Sequence, residues 1–587
     1  MPFSRRGFPI VIRGGRPRSL AGVTRVLSPR GALTVHQVDG AFLFALRAAL
    51  AMAVVALPIV LAGRPDLAVY AMLGSFTTTF GRNLPYGRRA RVLSLVGVAM
   101  TACVGFGAAL AALAQPRAGG AGAVAVVAAT AVVAGLAKFA CDANRLGGLG
   151  AVLLLFSFAV AANTSTALAD VLPRTGLAAG ASAVAWVLAV VGWFVHPDRP
   201  QRIAVAAALR ALADLLHGAG TKATGQLRYR ATVAALHAYQ SLGLAPPTKL
   251  QHSGREEICA RLTDMSWFLL IGSVRRSPDD LPVTPEHLRR QALLLADRRR
   301  RAVPLLPELE SCAASGDRDR SALGPAALHA DAAVRRASEL MLGRHLARSG
   351  HISVRVIPAL RMTLGTGVAG GLALLLGLGH GYWAAISAAA VLHSVNIRTT
   401  AQRAAQRTMG TVVGLLIAVG VLAAHPGPEV LALVIVLLEF LLEYAVVRNY
   451  TLGVVFVTPM ALLMSDMATP VSAGELVYDR GLASFLGIAV GLVCALLVVD
   501  DHAAVRVESA LAACTQAVER AEEALAPHCG PPPSDVQVRL AQAVVELRDA
   551  DDAAAGELWP AGIDPAELAA AEERSYLLLD RLHRRWV

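Results

Sequence analysis

Charged residues are scarce in this chain. They make up 17% of its 587 residues, whereas soluble globular proteins carry about a quarter. Hydrophobic residues supply 55%, and the mean hydropathy is +0.53. This balance excludes an ordinary soluble protein and predicts an all-α, polytopic membrane protein whose main partner is the lipid bilayer.

Lysine is nearly absent, since Lys138, Lys222 and Lys249 are three of the 55 basic residues. The formal net charge is nonetheless +13, because arginine supplies the remaining basic residues. A basic balance is typical of nucleic-acid-binding proteins, but a DNA-binding face would not be wrapped around so many long apolar segments. Arginine-rich loops on the inner side of a membrane explain the charge better, so we expect no nucleic-acid partner.

Motifs for metal binding and catalysis are missing. The seven cysteines are scattered without a CxxC pair or a His/Cys cluster at metal-ligand spacing, which argues against a zinc site and against a disulfide framework. The P-loop, the nucleophile elbow and the HExxH motif are absent as well. We therefore expect no enzymatic activity, no cofactor and no bound metal.

A block of six apolar segments occurs twice along the chain. The tripeptide Ala-Leu-Arg ends at Arg47 near the start of the first block and at Arg361 near the start of the second. Arg174 and Arg480 open the last segment of each block in the same way. Internal repeats of this kind are the usual mark of membrane transport proteins, whose path lies at the interface of two related bundles.

The repeats divide the chain into five regions. We expect a basic tail, a first transmembrane repeat, a helical domain, a second transmembrane repeat and a helical tail, at residues 1–40, 41–196, 197–352, 353–499 and 500–587. The predicted transmembrane segments are 41–63, 66–82, 90–114, 119–138, 146–163, 175–196, 356–379, 381–397, 405–424, 429–447, 450–467 and 480–499. The second and fifth of each repeat are short and interrupted by threonine or glycine, which favours broken or tilted helices.

The basic residues predict the orientation. Arginine-rich loops follow the second segment of each repeat, and these carry Arg82, Arg88, Arg89 and Arg91 in the first repeat and Arg398, Arg403 and Arg407 in the second. Loops on the opposite side carry isolated arginines together with aspartates and glutamates. The positive-inside rule therefore predicts a multi-pass protein of the cytoplasmic membrane with both termini and both helical domains in the cytoplasm.

The polar regions carry apolar residues at helical spacing. In the first region this pattern predicts helices near 201–218, 228–243, 255–274, 284–302 and 321–348, and in the tail near 501–526, 534–554 and 565–585. Each region is short of apolar surface by itself. We expect the two to pack together as one module.

One stretch of the second repeat points to a family. Tyr382-Trp383-Ala384-Ala385 opens one segment, and Arg403, Arg407, Gly410 and Gly414 follow at spacings of four, three and four residues. This pattern resembles the fusaric acid resistance (FUSC) and aromatic acid exporter family. The resemblance implies two membrane repeats, each followed by a cytoplasmic helical region, and the export of aromatic or other organic acids.

The first repeat departs from this pattern. Ser94 and Val98 stand where Gly410 and Gly414 would, so the two halves need not build a symmetric site. Glycines four apart on a membrane helix let another backbone approach closely, and we expect Gly410 and Gly414 to do so.

Four arginines are candidate contacts for an anionic substrate. Arg403 and Arg407 lie four residues apart, and paired guanidinium groups can hold a carboxylate in bidentate fashion. Arg47 and Arg361 recur at the same place in each repeat, which suggests a symmetric contact. The alternative for all four is that they extend to the membrane surface as positive-inside anchors. The family resemblance adds Tyr382 and Trp383 to the candidate substrate contacts.

Glu439 and Glu443 are the acidic pair that shares one face of an apolar segment. Carboxylates at membrane depth are costly and usually functional, so this pair is a candidate for proton coupling. The alternative is a structural ion pair between Glu443 and Arg448 near the membrane surface. Lys138 and Asp142 occupy the corresponding region of the first repeat with different chemistry.

These features predict an exporter of aromatic or other organic acids that is driven by the proton gradient. The alternatives are an organic-anion channel, which needs no proton-coupling carboxylate, and a membrane scaffold or envelope-assembly protein that acts through its cytoplasmic domain. The substrate in either transport mechanism is a small organic anion. Self-association into a homo-oligomer is compatible with all three.

Overall fold

The computed structural model describes most of the chain, namely residues 38, 40–82, 84–116, 120–144, 146, 150–164, 166–221, 223–245, 255–275, 283–300, 303–310, 353–394, 396–468, 472–497, 502–526, 534–557 and 563–586. Within these ranges 85% of the residues are helical and none lies in a strand, so the predicted all-α fold is confirmed. The predicted helix at 321–348 and nearly all of the basic tail lie outside the described residues.

The first apolar block forms six helices and a short seventh. They are α1 (Ala41–Leu61), α2 (Pro65–Ser75), α3 (Tyr86–Ala114), α4 (Gly120–Ala143), α5 (Gly150–Ala162), α6 (Leu168–Val190) and α7 (Gly192–Val195). As expected, α2 and α5 are short, and α2 passes into a 3₁₀ turn at Phe76–Thr79. The helical domain that follows contains α8 (Arg199–His217), α9 (Thr224–Leu242), α10 (Arg255–Gly272) and α11 (Pro285–Ala296).

The second apolar block also has six described helices. They are α12 (Ser353–Leu375), α13 (Tyr382–Leu392), α14 (Ile397–Ala423), α15 (Pro428–Val446), α16 (Tyr450–Ala468) and α17 (Ala473–Leu497). The prediction that its fifth segment is short is wrong, because α16 has 19 residues and is apolar enough to span a membrane. The tail contains α18 (His502–Ala524), α19 (Ser534–Ala555) and α20 (Pro565–Trp586).

Eight of the described helices are long and apolar enough to cross a membrane, and the protein is therefore a multi-pass membrane protein. Helices α5 and α13 are equally apolar but have 13 and 11 residues. Helix α15 has 19 residues and carries three glutamates, Glu429, Glu439 and Glu443. Its length suits a membrane span, but with three glutamates it is not among the eight helices that are apolar enough.

Helix α14 begins eight residues before the predicted segment. Asn396 caps it, because the Asn396 side chain accepts a hydrogen bond of 2.9 Å from the backbone N–H of Thr399. The basic residues that the sequence placed in a loop, Arg398, Arg403 and Arg407, therefore lie on α14. In the first block α3 likewise begins at Tyr86, so Arg88, Arg89 and Arg91 are helical too. Both expectations of a loop are wrong because a hydropathy pattern ends a segment where its polar residues begin, whereas the helix continues.

The same pairs of helices pack in both blocks. The first helix of each block contacts the second, the second contacts the sixth, the third contacts the fifth and sixth, and the fourth contacts the fifth. Across the blocks, α1 packs against α15, and α12 packs against α4. The first helix of each block thus lies on the fourth helix of the other. Two related repeats would produce this reciprocal packing, although the number of repeats itself stays a prediction.

Small residues bring the helix backbones together. A Cβ atom on Gly410 would lie 2.8 Å from the Thr451 carbonyl oxygen, and one on Gly414 would lie 2.8 Å from the Val455 carbonyl oxygen. Gly410 and Gly414 therefore serve close packing of α14 on α16, as the sequence predicted.

The helical domain and the tail share one hydrophobic core. Its largest buried side chains include Tyr239 and Trp267 from the helical domain and Tyr576 from the tail. Tyr576 and Thr232 are joined by a hydrogen bond of 2.9 Å between their hydroxyl groups. We call this pair of regions the polar module. It touches the apolar helices at the start of α14, where the Arg398 N–H donates to the Gly556 carbonyl oxygen at 3.0 Å.

Gly487 offers a test of the close packing. A Cβ atom there would lie 2.1 Å from the Ala384 carbonyl oxygen, whereas nothing lies within 4 Å of the corresponding position on Gly420. We expect Gly487→Ala to separate α17 from α13 and to cost about 1–3 kcal/mol, as overpacking does. Thermal unfolding of the detergent-purified protein would measure this, with Gly420→Ala as the matched control. Equal melting temperatures for the two variants would contradict the packing described above.

Candidate functional site

Helices α13 and α17 bring a buried arginine against two aromatic rings. The Cζ atom of Arg480 lies 3.5 Å from the centre of the Trp383 ring. The rings of Tyr382 and Trp383 lie 4.7 Å apart, centre to centre. Arg480 and Trp383 are each 2% exposed. The guanidinium and the indole therefore form a cation–π pair that is closed off from solvent.

Helix α14 supplies a second buried arginine. Arg407 is 5% exposed and lies about 15 Å along the helix from its first residue. Its Nη2 donates to Ser387 Oγ at 3.2 Å, and its Nη1 donates to the Tyr450 hydroxyl at 3.4 Å. The Arg403 guanidinium lies 5.7 Å from the centre of the same Tyr450 ring. Arg407 therefore does not extend to the membrane surface.

We call Tyr382, Trp383, Arg407 and Arg480 the arginine–aromatic site. Arg407 and Arg480 lie close enough for their charges to interact. In the part of the chain that the structure describes, neither of them forms an ion pair with a carboxylate. The Nε and Nη1 atoms of Arg480 and the Nε atom of Arg407 are buried without a hydrogen-bond partner. Two buried cations without a counter-charge make this a place where an anion is stabilised.

The corresponding arginines of the first block have different surroundings: Arg174 has a carboxylate partner, and Arg91 is exposed. Arg174 donates to the Tyr70 hydroxyl at 2.7 Å and to Thr166, and it forms an ion pair with Asp170 at 3.5 Å. Arg91, which aligns with Arg407, is exposed. The chemistry of the site is therefore not duplicated, which agrees with the departure of the first block from the sequence pattern.

Sequence reasoning missed Arg480 as a site residue. Its repetition with Arg174 was visible in the sequence, but it served there only to align the two blocks. The sequence did offer a signal for Arg480, namely an arginine seven residues after the start of an apolar helix.

Arg47 and Arg361 occupy equivalent places but do not join a shared site. Arg361 is buried and donates to the Ser394 carbonyl oxygen at 3.1 Å. Arg47 lies 4.7 Å from the Phe44 ring centre, and Arg82 lies 4.4 Å from the same ring. Ser394 and Arg82 both belong to the connection after the second helix of their block. Arg361 is thus hydrogen-bonded to the connection of its block, whereas Arg47 shares an aromatic ring with a residue of the corresponding connection.

Glu439 and Glu443 are buried where the two blocks meet. They are 1% and 3% exposed. Glu443 Oε1 accepts a hydrogen bond of 2.6 Å from Thr79 Oγ1 in the first block, and the charges of Arg82 and Arg47 act on it. Glu439 Oε2 is buried without a hydrogen-bond partner in the structure. We call Thr79, Glu439 and Glu443, with Arg47 and Arg82, the carboxylate cluster.

Arg448, the partner that the sequence offered as an alternative for Glu443, lies against Tyr444. Its guanidinium is 3.7 Å from the Tyr444 ring centre and donates to the Tyr444 carbonyl oxygen. In the first block, Lys138 Nζ and Asp142 Oδ1 form an ion pair of 2.8 Å within α4. That ion pair lies within one helix, whereas Glu443 is hydrogen-bonded to a residue of the other block.

Among the residues that the structure describes, no group of three or more His, Cys, Asp or Glu side chains is arranged to hold a metal ion.

A protein-family model matches the chain within its second block. Residues 368–494 match the family of fusaric acid resistance protein-like proteins, which confirms the predicted resemblance. The matched range contains the whole arginine–aromatic site and both glutamates. Over 217 residues the chain is 33% identical to the uncharacterized membrane protein YvaC of Bacillus subtilis. This match covers 36% of the chain and 34% of YvaC, so the chain spans about a third of the length of that relative. No solved structure matches the chain.

Proposed function

We propose that this membrane protein of the fusaric acid resistance-like family exports small organic anions, and that the arginine–aromatic site binds them. One observation carries the proposal: Arg407 and Arg480 are buried beside Trp383 without a carboxylate partner in the described part of the chain. A buried charge is costly unless it is compensated. A carboxylate from the substrate would compensate it.

The rings favour aromatic or other flat organic acids. An arginine binds a carboxylate through parallel N–H groups, and the indole face of Trp383 packs against a flat apolar body. Tyr382 is held in place by its hydroxyl, which lies 3.2 Å from Ser465 Oγ. These residues combine a charged end with an apolar wall, which is the arrangement expected for a substrate with one carboxylate and one ring.

Export requires the site to open. Arg480 and Trp383 are almost fully covered, so substrate reaches them only after helices move. The contacts of α1 with α15 and of α12 with α4 form the boundary between two bodies that can rock against each other. Alternating access by such a motion would carry the anion from one side to the other.

The carboxylate cluster is our candidate for energy coupling. Glu439 and Glu443 are buried four residues apart on α15, and Glu443 contacts the other block through Thr79. A carboxylate that gains and loses a proton there changes its charge at the moving boundary, which is what an antiporter needs. An organic-anion channel would use the arginines but not these glutamates.

The arginines of the site give the first test. We expect Arg480→Gln and Arg407→Gln each to lower benzoate flux into proteoliposomes by about tenfold or more, because a hydrogen bond to a charged group contributes roughly 1.5–3 kcal/mol. Arg88→Gln is the matched control, since Arg88 is exposed on α3. Aliphatic succinate would be run in parallel to measure the preference for a ring. Full flux in both site variants would refute the proposed site.

The glutamates give the second test. Glutamine keeps the shape of glutamate but removes the charge change, so Glu439→Gln and Glu443→Gln should abolish the stimulation of benzoate flux by a pH gradient. The amount of detergent-extractable protein should stay close to that of the unaltered chain. Normal stimulation in both variants would leave a channel as the better description, and a loss of extractable protein would assign the pair a structural role.

Orientation is the third test. We propose that both termini and the polar module face the cytoplasm, because the basic residues then fall on the inner side. A cysteine in place of exposed Arg299 should react with an impermeant maleimide only after cells are permeabilised, while a cysteine in place of exposed Arg64 should react in intact cells. The opposite labelling pattern would refute the proposed topology.

A further inference from the structure

A continuous row of contacts joins the carboxylate cluster to the arginine–aromatic site. It begins at the hydrogen bond of 2.6 Å between Thr79 Oγ1 and Glu443 Oε1. Thr79 is the last residue of the 3₁₀ turn Phe76–Thr79, and Phe76 is its first. In a 3₁₀ helix, residues three apart lie on the same face, so the turn aligns the Phe76 ring with the Thr79 hydroxyl.

Aromatic rings continue the row from this turn to the second block. The rings of Phe76 and Phe156 are 6.0 Å apart, and those of Phe156 and Trp383 are 5.8 Å apart, centre to centre. The Trp383 ring then packs against Arg480. Phe76 and Phe156 are 1% and 7% exposed, so the aromatic part of the row is buried, while Thr79 at its start is partly exposed. A shift of Phe76 is therefore transmitted by direct packing to the cation–π pair.

An α-helical form of the turn would break this alignment. If Phe76–Thr79 adopted α-helical geometry and continued α2, three residues would span about 300° instead of about 360°. Thr79 would then rotate by about 60° relative to Phe76, which would separate its hydroxyl from Glu443 or displace the ring. The turn closes α2 at its C-terminal end, where short 3₁₀ stretches are frequent, so the chain there is close to both geometries.

The second block lacks the equivalent row. In the described residues of the second block, α13 ends at Leu392 and no 3₁₀ turn follows it. The corresponding charged residues, Lys138 and Asp142, form an ion pair with each other within α4. The row is therefore a feature of one side of the protein and not a by-product of the repeated fold.

We propose that the 3₁₀ turn Phe76–Thr79 is the element that couples proton binding on the carboxylate cluster to anion binding at the arginine–aromatic site, with Phe156 as the connecting residue. This inference rests on the proposed function. An ionised Glu443 only accepts hydrogen bonds, and it holds the Thr79 hydroxyl as a donor; a protonated Glu443 can itself donate. The other charges that face Glu443 are those of Arg47 and Arg82, together with Glu439 on the same helix. Thr79 and Phe156 are positioning residues in this scheme, since neither contacts the anion.

Coupled sites must show reciprocal effects in binding. In the intact protein in detergent, the dissociation constant of benzoate should change by about fivefold or more between mildly acidic and mildly alkaline pH. Benzoate binding should also change the number of bound protons, which an indicator dye measures in weakly buffered solution. Thr79→Val and Phe156→Leu should retain benzoate binding but lose both the pH dependence and the proton exchange.

Matched controls exist in the same elements. Thr78→Val alters the neighbouring threonine, which donates to the Ser75 carbonyl oxygen at 3.0 Å instead of to Glu443. Phe158→Leu alters a buried phenylalanine of α5 that packs with Val126 and Ala162 in a separate cluster. Both controls should keep the pH dependence of benzoate binding and the proton exchange. Thr79→Ser and Phe156→Tyr should keep them as well, because serine retains the hydroxyl group and tyrosine retains the ring.

The outcomes separate this inference from the proposed function. If Arg480→Gln binds benzoate as the unaltered chain does, the proposed site is wrong. If Arg480→Gln abolishes binding while Thr79→Val and Phe156→Leu keep the full pH dependence, the site stands and the coupling turn is overturned. A double variant that loses no more coupling than either single variant supports one shared route, whereas additive losses contradict it. A wild-type chain without pH-dependent binding also contradicts the inference.

Discussion

The reciprocal packing of the two blocks is the constraint on which the rest of the structure depends. Because α1 lies on α15, the connection after α2 reaches a carboxylate of the other block, and Thr79 meets Glu443 at 2.6 Å. Because α5 contacts α13, the Phe156 ring meets the Trp383 ring. Glycines and alanines make these approaches possible, since a larger side chain at Gly135 would collide with Thr363 of α12. Without a hydrophobic effect between helices in lipid, this close backbone packing must hold the blocks together.

The two blocks differ in how they balance buried charge. In the first block, Arg89 donates to the carbonyl oxygens of Gly81, Arg82 and Ala189, and Arg174 is paired with Asp170. In the second block, Arg480 packs on the Trp383 ring and has no carboxylate partner among the described residues. A charge that the protein satisfies itself is structural, whereas one that it leaves unsatisfied favours an external anion. This difference is why the repeated fold supports one proposed site instead of two.

Hydropathy and spacing predicted much of the fold. The apolar segments, the short α2 and α13, and the close contact through Gly410 and Gly414 all follow from local rules of helix length and residue size. The start of α14 did not follow, because the first turns of the helix carry Arg398, Arg403 and Arg407 and therefore look like a loop. Only the Asn396 cap and the fold around it make that polar stretch helical. The chosen candidates Tyr382, Trp383 and Arg407 do lie together, but Arg480 joins them from a helix 73 residues after Arg407 in the chain.

The sequence by itself determined the class of the protein: an apolar, all-α membrane chain with two glutamates on one apolar helix and a stretch that resembles the fusaric acid resistance-like family. These properties depend on composition and on neighbours along the chain, which a sequence displays directly. The tertiary structure alone decided which charges are balanced, since it turned Arg47 and Arg361 toward the connections of their own blocks, placed Arg480 on Trp383, and brought Glu443 to Thr79. Whether a buried charge is paired depends on atoms that are distant in sequence and close in space, and helix packing sets those distances.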